Sequence, residues 1–299
     1  MASMSRKSFL ILGIALVPVC VNPPNAESLA EESQSLSKPN EVLKEALKKA
    51  YSKGKSGAAA GVVQVLSLMW LRTTMNYQYR NGGSTIDSLK ILYKDGGVPR
   101  LYKGLPFAII QSPLSRFGDT AANAGVVALL EAYPLTSSLP MPIKSAGGSI
   151  VAGIWRIFLT PIDSFKTALQ VGGDAGNEII MKRIKLEGPS ALYQGALASA
   201  VATIVGHFPW YLTYNTLSEK IPVASDDDLL LQLLRAAFIG FCASTVSDCC
   251  SNSLRVLKTT KQTSEKQISY LETFQIVIEK DGIGGLFGRG LQTRLVVNG

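Results

Sequence analysis

Three short segments of this 299-residue chain repeat one pattern, and an internal repeat restricts the possible folds more than any other feature of a sequence. They are Gly97-Val-Pro-Arg-Leu-Tyr102-Lys103-Gly104, Gly188-Pro-Ser-Ala-Leu-Tyr193-Gln194-Gly195 and Gly282-Ile-Gly-Gly-Leu-Phe287-Gly288-Arg289-Gly290, the last with one inserted residue. Their final glycines stand 91 and 95 positions apart. Each segment follows an amphipathic stretch with apolar residues at helical spacing, such as Ile86, Leu89 and Leu92, or Leu271, Phe274, Val277 and Ile278. Ser84-x-x-Asp87 and Ser269-x-x-Glu272 read as capping boxes for two of these stretches.

Long apolar segments flank each repeat, at about 56–76, 143–170 and 229–258 upstream and 104–133, 195–217 and 290 to the end downstream. At about 1.5 Å per residue, five of the six can cross a hydrocarbon core of roughly 30 Å. The sixth, ten residues from Gly290 to Gly299, cannot. Its apolar pattern continues without a stop signal, and this predicts further apolar residues beyond Gly299 in the full transcript, the alternative being a natural short form that pairs with another protein. The loops 71–104, 162–195 and 254–290 carry six, four and six Lys/Arg, whereas 131–146 and 217–229 carry Lys144 and Lys220 alone, so the three amphipathic loops share one side of the membrane. Gly57-x-x-x-Gly61 and Ser149-x-x-x-Gly153 predict close helix approach. The fold class expected is an all-α membrane protein of three tandem repeats, each with two transmembrane helices and a short surface helix, the sixth helix being incomplete.

Composition agrees. Charged residues make up 17% and hydrophobic residues 46% of the chain, fewer and no fewer, respectively, than in a typical soluble domain. The net charge of +8 is dispersed, without the basic stripe and interleaved aromatics of a nucleic-acid protein. Cys20, Cys242, Cys249, Cys250 and the single His207 show no metal-ligand spacing, and no nucleophile–base constellation suggests an enzyme, so neither cofactor nor metal is expected. At the start, Arg6 and Lys7 precede an apolar run from Phe9 to Val21 that Asn22-Pro23-Pro24 breaks, the layout of a secretory signal peptide or an uncleaved anchor. The expected division is a leader at 1–26, a polar linker at 27–55 ending in a short helix at about 41–52, and repeats at 56–140, 141–224 and 225–299.

Thr160-Pro161-Ile162-Asp163-Ser164-Phe165-Lys166, followed by Gln170, resembles the Pro-x-Asp/Glu-x-x-Lys/Arg motif of the mitochondrial carrier family and the glutamine after it. It lies 34 residues before a turn glycine within the threefold repeat, and the resemblance covers 56–299. The resemblance implies a pseudo-threefold barrel whose proline-kinked helices converge and are gated by a ring of ion pairs. The corresponding positions are Ser67, Met69, Arg72 and Asn76 in the first repeat and Ser253, Arg255, Lys258 and Gln262 in the third. The gate group is thus Arg72, Asp163, Lys166, Arg255 and Lys258, in which Asp163 pairs with Lys258, Met69 leaves Lys166 without an acid, and Arg255 faces Arg72. The family's second gate motif is weakened to Asn123-Ala124-x-x-Val127 and Tyr214-Asn215-x-x-Ser218.

Solute contacts implied by the resemblance, seven residues after each turn glycine, are Gln111, Ala202 with Thr203, and Val297. Counting back from the motif in the odd helices gives Val62, Arg156 and Asp248. Arg156 and Asp248 read either as a pair binding a zwitterion or as an internal salt bridge. Arg116 and Asp119, three apart, read as a pore pair or a local helix pair. His207 reads as a titratable cavity group or a packed interface histidine. Tyr102, Gly104, Tyr193, Gly195, Phe287 and Gly290 place helix amino ends at the membrane surface, where the resemblance implies cardiolipin. The expected function is transport of a small polar metabolite, such as an amino acid-like one, by alternating access, with a non-transporting membrane adaptor as the alternative. Location follows the resemblance to the mitochondrial inner membrane, or the leader to a plastid or endomembrane.

Overall fold

The structure is a computed structural model that describes residues 39–223 and 228–298. The expected leader and the first part of the linker lie outside the described residues. Among the described residues every regular element is helical: α1 (Pro39–Asn81), α2 (Thr85–Leu101), α3 (Leu105–Ala132), α4 (Pro134–Ser137), α5 (Met141–Glu187), a 3₁₀ turn (Pro189–Tyr193), α6 (Ala196–Lys220), α7 (Leu229–Gln262), α8 (Tyr270–Gly288) and α9 (Leu291–Asn298). Helices α1, α5, α6 with the turn before it, and α7 are long and apolar enough to cross a membrane. Neighbours in chain order pack together, α1 on α3, α3 on α5, α5 on α6 and α6 on α7, while α9 sits against both α7 and α1.

The separate short helix expected at 41–52 is instead the start of α1, which runs unbroken from Pro39 to Asn81. Val42 and Ala46 are buried, and the small residues that follow form a seam against α3. A Cβ on Gly54 would lie 2.5 Å from the Phe117 ring, and one on Gly57 2.8 Å from the Arg116 carbonyl oxygen. These contacts leave no room for a side chain, so the polar stretch stays docked and helical. At Gly153 the same close approach occurs, with Ile204 and the Ala200 carbonyl of α6 about 3 Å from where a Cβ would stand. Of the two expected capping boxes, Ser269–Glu272 is complete and Ser84–Asp87 is half made. Asp87 is one methylene shorter than Glu and meets the Ser84 hydroxyl at 2.6 Å instead of the cap's backbone N–H.

Helix α5 combines the third apolar segment with a surface helix, separated by a break at Gly173 (φ 59°). Similar breaks at Gly97 in α2 and Gly282 in α8 have φ 65° in both cases, and Gly188 has φ 75°. The turn glycines Gly104, Gly195 and Gly290 likewise share a left-handed φ, of 84°, 83° and 66°. That conformation disfavours any residue with a Cβ, and at Gly195 a Cβ would also press on Gln262 at 3.0 Å.

Three buried arginines, Arg100, Arg183 and Arg289, none of them a candidate from sequence, tie these turns to the long helices. Arg100 donates to the carbonyls of Gln170 (3.0 Å) and Val171 (2.9 Å) near the break in α5. Arg183 donates to Gln262 (2.9 Å) at the end of α7, and to Ser264 and Ala191. Arg289 donates to Tyr79 (3.4 Å) and Arg80 (3.3 Å) at the end of α1. Carbonyls at a helix C-terminus lack intrahelical partners and carry partial negative charge, so a guanidinium satisfies them on both counts. An apolar cluster of Met75, Tyr79, Val256, Val277 and Leu286 closes the same end between α1, α7 and α8.

Candidate functional site

Where α1, α5 and α7 converge, the Asp163 carboxylate lies between two ammonium groups, Lys166 at 2.6 Å and Lys258 at 2.5 Å. Gln262 also donates to Asp163 at 3.3 Å. Lys166 was expected to lack an acid, because Met69 stands where a carboxylate would be. It turns back one helical turn to share Asp163, and Gln111 of α3 accepts its second hydrogen bond at 2.9 Å. Behind this group Gln170 accepts from Asn76 (2.6 Å) and meets the Met69 sulfur (3.5 Å). One carboxylate therefore serves two cations, and Gln111, expected to contact solute, is occupied by the gate.

Towards the middle of the bundle, Arg156 pairs with Asp119 of α3 at 2.5 Å, and Asp248 pairs with Arg294 of α9 at 2.6 Å and accepts from Asn298 at 2.8 Å. The expected neutralisation of Arg156 by Asp248 is not what forms. Each finds a nearer partner on a helix packed directly against its own, α3 for α5 and α9 for α7. Arg116 does not pair with Asp119 through the local spacing either; it donates to Gln64 of α1 at 2.9 Å. Arg72 donates to Ser112 at 3.2 Å and its Nε is buried without a partner. Arg255 bonds Ser251 of its own helix at 3.3 Å. Arg72 and Arg255 were expected to face each other, and both lie within electrostatic reach of Arg156 and Arg294. His207 lies within reach of Asp119, Arg156, Arg255 and Arg116, its ring edge-on to Tyr211 at 6.1 Å.

Five guanidinium groups, Arg72, Arg116, Arg156, Arg255 and Arg294, thus share this region with two carboxylates, Asp119 and Asp248. Among the described residues no ion pair reaches Arg72, Arg116 or Arg255. Other expected solute positions are less open: Ala202 and Thr203 are buried, and the Thr203 hydroxyl donates to Ser199 of its own helix at 3.0 Å. Val297 is buried too, whereas Val62 is exposed. Arg294 is not among the residues expected from sequence, because counting seven from Gly290 reaches Val297, about one turn further along α9. Its spacing of four from Gly290, on the same helix face, was the available signal.

A double-mutant cycle tests the observed pairing. Asp119→Asn and Arg156→Gln are expected to be non-additive, with a coupling of about 0.5–3 kcal/mol, while Arg156→Gln and Asp248→Asn should add. Thermal unfolding of purified protein reads both, and the reverse pattern would restore the pairing expected from sequence.

Residues 137–223 match the family model described as mitochondrial carrier protein. Over that stretch the chain is similar to mitochondrial carrier proteins. It is 24% identical over 232 residues to mitochondrial citrate transporter D of Aspergillus niger, covering 71% of the chain and 74% of that protein. It is 33% identical over 160 residues to a calcium-binding mitochondrial carrier protein of Dictyostelium discoideum, covering 48% of the chain and 19% of the relative. An adenine nucleotide transporter of Zea mays, described as chloroplastic, amyloplastic and mitochondrial, is 22% identical over 162 residues, covering 52% of the chain and 37% of its own length. These relatives are named as transporters or carriers, and four helices of this chain are long and apolar enough to cross a membrane.

The turn residues differ in exposure. Tyr193 and Phe287 are exposed, while Tyr102 packs on the cluster of Val65, Met69 and Ala108. Beside Gly195, a cleft of about 320 Å³ is lined by Ser190, Tyr193, Gln194, Leu197, Lys261 and Tyr270 among others. The Tyr270 hydroxyl accepts from the Ala198 N–H at 3.1 Å, and the Lys261 ammonium stands 4.8 Å from the Tyr270 ring centre.

Proposed function

We propose that this chain carries a small anionic metabolite across a membrane by alternating access, holding it on Arg72, Arg116 and Arg255. The observation that carries this reading is that, among the described residues, these three cations make no ion pair, while the nearby Asp119 and Asp248 are taken by Arg156 and Arg294. A desolvated guanidinium without a counter-ion is costly at membrane depth, and an anionic solute supplies the missing charge with bidentate hydrogen bonds. Asp163 with Lys166 and Lys258 is the closed gate at the end bearing the short helices, and its opening would release the solute there. An amino acid-like zwitterion would use Arg156 and Asp248 together, and their separate pairing favours an anion instead. The citrate and adenine nucleotide relatives are named for anionic solutes, in keeping with this assignment.

The architecture proposed is the three-repeat barrel, with repeats at 56–140, 141–224 and 225–299. The recurrent glycine conformations and the three arginine clamps support it. The cleft at Gly195, with Lys261 and the amino end of α6, would hold the phosphate of a lipid such as cardiolipin. The mitochondrial inner membrane is the proposed location, with a plastid membrane as the alternative in view of the maize relative.

Uptake into proteoliposomes tests the function. Di- and tricarboxylates and nucleotides are expected to compete with the transported solute, neutral sugars and zwitterionic amino acids are not, and Arg116→Gln or Arg255→Gln should each lower flux at least tenfold. A folded protein without flux of any anion would favour the non-transporting adaptor, and flux of a zwitterion indifferent to both substitutions would overturn the anion assignment.

A further inference from the structure

We propose that the first turns of α1 form a binding strip for anionic phospholipid headgroups in the leaflet opposite the short helices. Between Pro39 and Ser56 the helix carries Lys44, Lys48, Lys49, Lys53 and Lys55 against Glu41 and Glu45. Lys44, Lys48 and Lys55 are exposed, and their spacing of four and seven puts them on one helix face. The same face continues into the exposed apolar residues Ala59, Val62 and Leu66. It points away from the Gly54, Gly57 and Gly61 seam against α3 and from Gln64, which reaches inward to Arg116. A face that is apolar at mid-depth and basic near the helix start is outward-facing, with its ammonium groups at the level of the headgroups.

The other two long helices sharpen the contrast. Counted back from Ser67, Pro161 and Ser253, the corresponding depth in α5 and α7 exposes Met141, Ile143, Leu230, Leu234 and Phe238. The basic residues at that level there are turned inward: Lys144 donates to the Ser137 carbonyl at 2.9 Å, and Arg235 to those of Ser218 and Ile221. On α1, exposed Leu43, Leu47 and Tyr51 interleave with the lysines, and the Lys55 ammonium lies 4.9 Å from the Tyr51 ring centre. Lysine stems covering apolar surface while the ammonium reaches outward, with an aromatic beside them, is the arrangement that suits an interface. Lys48 also lies 3.9 Å from Glu45, but with its side chain 78% exposed that contact is weak and leaves the ammonium available to a phosphate. Charge complementarity selects an anionic headgroup over a zwitterionic one. The inference rests on membrane placement of the helices and not on the solute assigned above.

The test uses the full chain reconstituted in phosphatidylcholine nanodiscs with a minor fraction of phosphatidylglycerol. A phosphatidylglycerol analogue bearing a photoreactive headgroup should label the 41–56 region of the wild-type protein, and the matching phosphatidylcholine analogue should not. The triple substitution Lys44→Gln, Lys48→Gln, Lys55→Gln is expected to reduce that labelling about tenfold or more, since each lysine near an anionic surface contributes several-fold in affinity. The corresponding triple Lys→Arg protein should keep it, as should Lys261→Gln at the Gly195 cleft. Wild-type labelling confined to other regions, equal labelling by the two lipids, or full labelling of the Gln protein would overturn the proposal.

Discussion

Asp163→Asn is expected to cause the largest loss of any single substitution at the gate, in both stability and flux. The carboxylate is 6% exposed and touches two ammonium groups, so neutralising it leaves Lys166 and Lys258 buried side by side without a counter-charge. Removing one member of a buried ion pair costs about 3–5 kcal/mol, and here one acid serves two bases. Thermal unfolding in detergent should show the drop, and adding Lys258→Gln to Asp163→Asn should recover part of it by removing one stranded cation. Charge reversal with Asp163→Lys and Lys258→Asp, which the sequence pairing alone would predict to rescue function, is expected to fail, because the new ammonium would face Lys166 one turn away. Unchanged stability in Asp163→Asn would mean that the three groups do not share charge as the geometry has it.

Arg183→Ala should be the most damaging change outside the gate. Its side chain is among the most deeply buried in the chain and donates to three carbonyls, one of them on Gln262 at the end of α7. Hydrogen bonds from a charged donor contribute about 1.5–3 kcal/mol each to stability, and the truncation adds a cavity where the guanidinium lay. A loss of about 3–5 kcal/mol is expected, and Arg183→Lys should recover little of it, since one ammonium cannot reach carbonyls that a planar fork spans. Near-wild-type unfolding of Arg183→Lys would show that charge alone, without the fork, holds α7 to this turn. The corresponding changes at Arg100 and Arg289 should follow the same order.

Much of this protein was legible in the residues because it depends on spacing along one chain. The recurring Gly-to-Gly segments marked the turns, apolar length marked the helices, of which α1, α5, α6 and α7, though not α3, are long and apolar enough to span, small residues four apart marked the close seams, and Pro161 with Asp163 and Lys166 marked the convergent end. These are local properties: φ angles that require glycine, a period of 3.6, a stem too large for a seam. Which charge meets which was decided by the tertiary structure. Arg156 and Asp248 lie at matched positions in two repeats, but pairing follows distance between helix faces, and α3 and α9 bring Asp119 and Arg294 closer. Lys166 takes a partner on its own helix because a flexible four-carbon stem can fold back where no acid stands opposite. The unbroken start of α1 and the arginine clamps on helix ends likewise depend on residues far away in sequence, Phe117 against Gly54 and Arg183 against Gln262, whose meeting no local pattern encodes.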